Sequence, residues 1–171
     1  MIDVSMYGTT IAINFYGSKA ITVDEFSDEG TPIEIPGLQI ADGSKNLNGA
    51  LVTWSKPSIP TVSFTLIPGG QDDNALRTKL QAQALNGTSN PQEAFISSLV
   101  VSVPMWSQSS SNMTGATTTA RNGYRVWTFH NGRLQSGQAA FGSNNEGKAS
   151  PSTYTFMFES VSETTSNSKK K

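Results

Sequence analysis

Alternation of apolar and polar residues is the main pattern along this chain of 171 residues. In the segments 10–16 and 59–67, every second residue is apolar, which is typical of a strand with one buried face. A similar pattern recurs up to the C-terminal quarter of the chain. The predicted strands cover 10–16, 20–26, 33–35, 51–54, 59–67, 95–103, 123–130, 133–141 and 153–161.

One segment has helical periodicity instead. Leu76, Leu80 and Ala84 repeat at four-residue spacing and form an apolar stripe within residues 71–86. Asp72 or Asp73 can cap the first turn, and Asn86-Gly87 is a stop signal. The sequence therefore predicts one helix at 71–86.

Polar segments separate these elements. Residues 41–49 and 106–120 are predicted as polar loops, and Asn131-Gly132 is predicted as a hairpin turn. Short connections favour antiparallel pairing. The predicted fold is mainly β, an antiparallel β-sandwich or curved barrel of seven to nine strands with one α-helix packed on its side. Residues 1–161 are expected to form a single domain, and 162–171 a flexible C-terminal tail.

Composition narrows the function classes. The chain has no cysteine, which excludes disulfides, a thiol nucleophile and thiolate metal ligands. The start of the sequence lacks the pattern of a signal peptide, and no apolar run approaches the length of about 20 residues that a membrane helix needs. We expect a soluble protein that is made in a cytoplasm and has no membrane segment.

Charge gives no sign of tight nucleic-acid binding. The net charge is −1, and no basic face is evident in the sequence. Three lysines, Lys169, Lys170 and Lys171, close the chain. They form either a solvated end or a weak electrostatic arm.

Candidate catalytic and metal-binding residues are few. His130 is the one histidine in the sequence, and its place beside Asn131-Gly132 favours a surface or turn role over a catalytic base. A cluster of acids fits no familiar calcium loop and favours a solvated face. Its members are Asp24, Glu25, Asp28, Glu29 and Glu34. We predict no enzyme activity, no catalytic residues, no cofactor and no metal.

The turn Pro68-Gly69-Gly70, between a strand and the helix, has the layout of a phosphate-binding loop. A Walker loop needs a lysine followed by Ser or Thr, and a dinucleotide loop needs a third glycine. The turn supplies neither, and Asp72 and Asp73 would repel a phosphate at the helix start. The segment is predicted to be a structural corner. Whether the two aspartates only cap the helix or also face another subunit is open at this stage.

The order of elements resembles the tail-tube proteins of long-tailed bacteriophages, which share a fold with the tube proteins of type VI secretion systems and contractile bacteriocins. The resemblance rests on N-terminal strands, a polar segment, strand-turn-helix at 62–86, and closing strands that end in Tyr-Thr-Phe-Met-Phe-Glu-Ser at 154–160. The segment 64–76 is similar to the strand-to-helix join of some contractile-tail phage proteins.

This resemblance implies a structural subunit of a phage tail tube, in which hexameric rings stack around a channel for genome delivery. It implies partners too: copies of the chain, sheath, baseplate and tail-terminator proteins, and DNA that passes through the lumen without specific binding. The implied location is the virion tail, after synthesis in the cytoplasm of the host bacterium.

Two other functions fit the sequence. One is a related tube-fold protein, such as a tail-terminator, baseplate or type VI tube component. The other is a β-sandwich module, such as a carbohydrate-binding domain of a fibre. Its sugar-stacking platform would be Trp54, Trp106 and Trp127, although scattered tryptophans are more often core residues.

Overall fold

A computed structural model describes residues 2–3, 8–28, 31–84, 95–110, 117–138, 142–143 and 147–167. These residues include ten strands and one helix, so the prediction of a mainly β fold with one helix is confirmed. The elements are β1 (Ile2–Asp3), β2 (Thr10–Phe15), β3 (Ile21–Val23), β4 (Ile33–Glu34), β5 (Ala41–Lys45), β6 (Leu51–Ser55), β7 (Thr61–Leu66), α1 (Gln71–Ala84), β8 (Phe95–Ser110), β9 (Thr117–Ser136) and β10 (Ser152–Asn167).

Eight strands form one curled antiparallel sheet. Its order is β3-β2-β8-β9-β10-β7-β4, with β1 paired to β8. The chain just after β3 bends towards the far side of the sheet, where Phe26 forms an isolated bridge to Leu66. The backbone N–H of Ser27 donates to the Thr65 carbonyl at 2.9 Å. The sheet therefore curls round towards its other edge at this corner, and the architecture is a half-barrel, nearer to the curved barrel than to the sandwich of the two predicted forms.

The core lies inside this curled sheet, where the predicted alternation places it. The apolar residues of β2, β7 and β10 that share a face are all buried: Ile11, Ile13, Phe15, Val62, Phe64, Leu66, Tyr154, Phe156 and Phe158. Aromatic rings join the strands, since Phe64 stacks on Phe156 at 5.4 Å and Phe129 lies 5.2 Å from Phe158. Ring contacts of this kind add about 0.5–1.5 kcal/mol each beyond their burial.

The helix covers one side of the core. Leu76 is fully buried and Leu80 packs against the core as a partly buried residue, as the apolar stripe predicts. α1 ends at Ala84, and the predicted stop at Asn86-Gly87 lies outside the described residues. Among the described residues, no helix has the length and apolar character that would let it cross a membrane.

Three predictions about strand ends are wrong. Residues 41–45, 106–110 and 117–120 are not loop. Residues 41–45 pair with β6, and the other two segments continue β8 and β9 and pair with each other as far as Ser110 and Thr117. Asn131-Gly132 is not a hairpin turn, because β9 runs through it between β8 and β10. β10 runs on to Asn167 opposite Gly123, beyond the point at which a flexible tail was predicted. The division of the chain into one domain and a tail otherwise stays a prediction.

Candidate assembly surface

The corner between β7 and α1 is occupied by contacts within the chain. Asp73 Oδ2 accepts the backbone N–H of Gly69 at 2.9 Å and forms an ion pair with Arg77 at 2.8 Å. The Tyr154 hydroxyl donates to Asp73 Oδ1 at 2.6 Å. Arg77 also donates to Ser152 Oγ at 3.1 Å, which ties the helix to β10. Asp73 is fully buried, so it holds the core together and does not face another subunit.

Asp72 also makes contacts within the chain. Its Oδ2 accepts the backbone N–H groups of Asp24 and Glu25 at 2.9 and 3.1 Å. In return, Glu25 Oε2 accepts the backbone N–H of Asp72 at 3.1 Å and caps the helix start. The two aspartates therefore fix the helix to the segment after β3 and to β10, and the corner is the structural one that the sequence predicts.

Hydrogen bonds control the ionisation of this cluster. Burial acts to raise the pKa of Asp73, but hydrogen bonds from Tyr154, Arg77, Gly69 and Ser152 outweigh it and hold that pKa below its ordinary value of 3.8. Burial, and next the hydrogen bond to Asp73, raise the pKa of Tyr154 well above its ordinary value. Asp73 is therefore charged and Tyr154 neutral at neutral pH.

We expect the contribution of Asp73 to stability to depend on pH. Since the pKa of Asp73 is lowered on folding, this contribution is complete above pH 3.8 and is lost as the pH falls further. Asp73→Asn should therefore lower the free energy of unfolding by about 1–3 kcal/mol at pH 7. Urea unfolding from pH 7 to pH 2.5 should show the gap to the wild type narrowing below pH 4. A gap that stays constant down to pH 2.5 would contradict this assignment. Asp28→Asn, at an exposed site, is the matched control and should stay within about 0.5 kcal/mol of the wild type.

The other candidate chemical groups remain scattered. His130 is exposed in the middle of β9, 3.4 Å from Ser162 Oγ, so its surface location is confirmed but its position at a strand end is wrong. Within the described part of the acidic cluster, no group of three acids or histidines could hold a metal ion. Trp54 is exposed on β6, whereas Trp127 packs against the core from β9. The side chain of Trp106 and the residues Glu29 and Lys169–171 lie outside the description.

β5 and β6 form a hairpin of their own, separate from the main sheet. The backbone N–H of Ala50 donates to the Asn46 side chain at 2.8 Å, and Gly49 takes a positive φ of 78°, so the turn is tightly defined. The hairpin (residues 41–55) leaves apolar side chains uncovered, with Leu47 fully exposed at its tip and Trp54 50% exposed. These exposed apolar side chains make the hairpin a candidate interaction surface.

A second surface feature arises where three strands of the main sheet bend together. In a regular strand, residues facing the core are an even number of positions apart. Along this sheet the spacing changes to three, from Ile96 to Leu99 on β8 and from Phe158 to Val161 on β10. Between them on β9, Asn131 takes a positive φ of 50°. Asn131 alone thus has the left-handed backbone that a tight turn uses, and the neighbouring strands keep it in the sheet.

A groove of about 670 Å³ lies at the bend. Its lining includes Phe158 and the exposed rings of Tyr16 and Phe95. Arg133 and Glu159 supply charges of opposite sign, and Glu159 accepts a hydrogen bond from Asn131 at 2.9 Å. We call this the bend groove. Sequence analysis missed it, although Asn131-Gly132 was the signal that marked its place.

This chain is similar to one protein family and to a solved structure. Residues 2–122 match the family model described as tail fiber protein gp32. No curated protein matches the sequence. Among solved structures, the tube-terminating cap of the anti-feeding prophage aligns with a TM-score of 0.47 and 16% identity, over 91% of this chain and 88% of the cap chain.

Proposed function

This chain belongs to the family of tail fiber protein gp32 and is a structural protein of the phage tail, and from that premise we propose that it is the subunit of the tail tube. In this proposal, hexameric rings of the chain stack around a channel through which the genome passes. The protein acts in the virion tail after synthesis in the host cytoplasm, without catalysis or cofactor. Its other partners are sheath, baseplate and tail-terminator proteins.

The observation that carries this proposal is the free edge of β10. β10 pairs with β7 only from Ser152 to Met157, while its other edge follows β9 as far as Asn167. Among the described strands, none pairs with the outer edge of residues 159–167. A long unpaired edge exposes N–H and C=O groups that natural proteins cover or pair. Pairing with the next copy in a ring satisfies these groups and closes a sheet across subunits.

Electron microscopy of the purified protein tests this proposal. Negative-stain images should show hollow rings or tubes, and a ring should have six times the mass of the 18.3 kDa chain. A lysine on a strand edge disfavours pairing. Thr164→Lys on β10 should therefore abolish rings, whereas Thr78→Lys on the exposed face of α1 should leave them intact. A protein that stays monomeric at high concentration would overturn the tube proposal.

A second candidate function is a baseplate or fibre module, which the description of the matched family favours. In that case the purified protein should bind glycans through the exposed Trp54 and should form no hollow rings. A glycan array with wild-type protein and Trp54→Ala separates the two functions. Binding that disappears in the variant, together with the absence of rings, would favour the fibre module.

A further inference from the structure

We propose that the β5–β6 hairpin of one copy docks into the bend groove of a second copy. Trp54 occupies the apolar part of the groove, Asp42 pairs with Arg133, and Lys56 pairs with Glu159 across the contact. This inference rests on the proposed self-assembly and names the surfaces that carry one of its contacts.

The hairpin presents a face suited to such a contact. Asp42 lies directly opposite Trp54 in the antiparallel pair, so both side chains are on one face. The backbone N–H of Lys56 donates to the Ile40 carbonyl at 3.0 Å, which continues the pairing by one step. By strand alternation, Lys56 falls on the same face as Trp54. A tryptophan flanked by an acid and a base therefore forms one surface of the hairpin.

The bend groove has the complementary character. Phe158 and Ile96 are buried beneath it, and Ile59, 68% exposed, forms part of its wall. The guanidinium of Arg133 lies 5.9 Å from the centre of the Phe95 ring, an arrangement that leaves its donors able to bind a carboxylate. Glu159 accepts from Asn131 through one oxygen atom, and its second oxygen can accept a lysine. The groove therefore has a cation for Asp42, an apolar lining for Trp54 and an anion for Lys56.

A hairpin that enters this groove comes from another copy. In the isolated chain both surfaces are uncovered. Trp54 and Leu51 on the hairpin are 50% and 69% exposed, and Ile59 in the groove wall is 68% exposed. The hairpin of a chain therefore does not fill the groove of that chain. A projection that fits a depression elsewhere on the same molecule makes a head-to-tail contact, which builds rings or filaments. The size of the groove, about 670 Å³, is within the range of about 300–1,000 Å³ that holds compact ligands, so a tryptophan with its neighbours can enter.

Single substitutions test the two surfaces separately. Trp54→Ala removes the hairpin anchor, and Ile59→Glu places a charge in the groove wall. Each variant should raise the protein concentration needed for half-maximal assembly at least about tenfold, because anchors of this kind dominate interfaces. Both sites are exposed, so circular dichroism and melting temperature should match the wild type. Thr78→Lys on the helix serves as the control again.

Mixing the two variants gives the decisive result. The Trp54→Ala chain keeps an intact groove and the Ile59→Glu chain keeps an intact hairpin. Sedimentation velocity should therefore show association in the 1:1 mixture that neither variant shows alone at the same concentration. Absence of association in the mixture would overturn the proposed contact.

Charge reversal tests the pairing of Asp42 with Arg133. Asp42→Arg and Arg133→Asp should each weaken assembly about tenfold, and the double variant should recover most of the loss. Additive losses in the double variant would contradict this pairing. If the wild type forms rings and Trp54→Ala forms them equally well, the docking proposal fails while the tube proposal stands. If the wild type forms no assembly at any concentration, both fail.

Discussion

Replacing Arg77 with methionine should lower the free energy of unfolding by about 3–5 kcal/mol, because Asp73 would keep a buried charge without its ion-pair partner. Asp73 is fully buried and accepts the Arg77 guanidinium at 2.8 Å. The same guanidinium reaches Ser152 and the carbonyl of Gln138, so its loss also loosens the contact between α1 and the chain that leads to β10. Chemical denaturation at pH 7 measures this loss.

The chain offers a matched control for this substitution. Arg125 pairs with Glu163 at 3.1 Å, but both side chains are about half exposed. Exposed ion pairs contribute about 0–1 kcal/mol, so Arg125→Met should barely change the unfolding midpoint. Equal losses in the two variants would show that the Asp73 cluster contributes no more than a surface ion pair.

Gly132→Ala should lower the free energy of unfolding by about 1–3 kcal/mol, because the bend leaves no room for a side chain at this position. A Cβ atom there would clash with the Phe158 ring and lie 2.6 Å from the backbone oxygen of Met157. Neither atom can move aside easily, because the Phe158 ring is packed in the core and the Met157 oxygen is part of the backbone of β10. Thermal unfolding and the urea midpoint should both fall.

A glycine in open space is the control for Gly132. A Cβ atom at Gly37 meets nothing within 4 Å, and its backbone needs no left-handed conformation. Gly37→Ala should therefore keep the stability of the wild type or raise it slightly. If Gly132→Ala were as stable as Gly37→Ala, the bend would accommodate a side chain without loss of stability, which contradicts this prediction.

The sequence predicts those strands well that have one buried face. On β2, β7 and β10 the core requires apolar residues at every second position, so the alternation is strong and the faces are correct. β5 carries no such signal, because both of its faces are exposed and its residues are Ala-Asp-Gly-Ser-Lys. The ends of β8 and β9 near Ser110 and Thr117 are strand because they pair with each other.

The candidate surfaces were harder to predict for a related reason. Asn131-Gly132 correctly indicated a backbone with positive φ, but whether such a pair reverses the chain or bends a strand depends on the strands beside it. Here Gly132 has Ile96 on one side and Phe158 on the other, and both partners are far away in sequence. Likewise, a place for Asp73 in the first turn of the helix was foreseeable from local sequence, whereas its bond to Tyr154, 81 positions away, was not.

The pairing of β7 with β10 has a consequence for the order of events in folding. Thr65 and Thr153 join these strands by a side-chain hydrogen bond at 3.2 Å across 88 positions of sequence. Contacts of such long range make folding slow, because the loop must close before the contact contributes. β10 supplies both the pairing that closes the core against β7 and the free edge at residues 159–167, so the core and the edge form in the same late step of folding. In the proposed tube, a subunit therefore offers this edge to its neighbour only after its own core has closed.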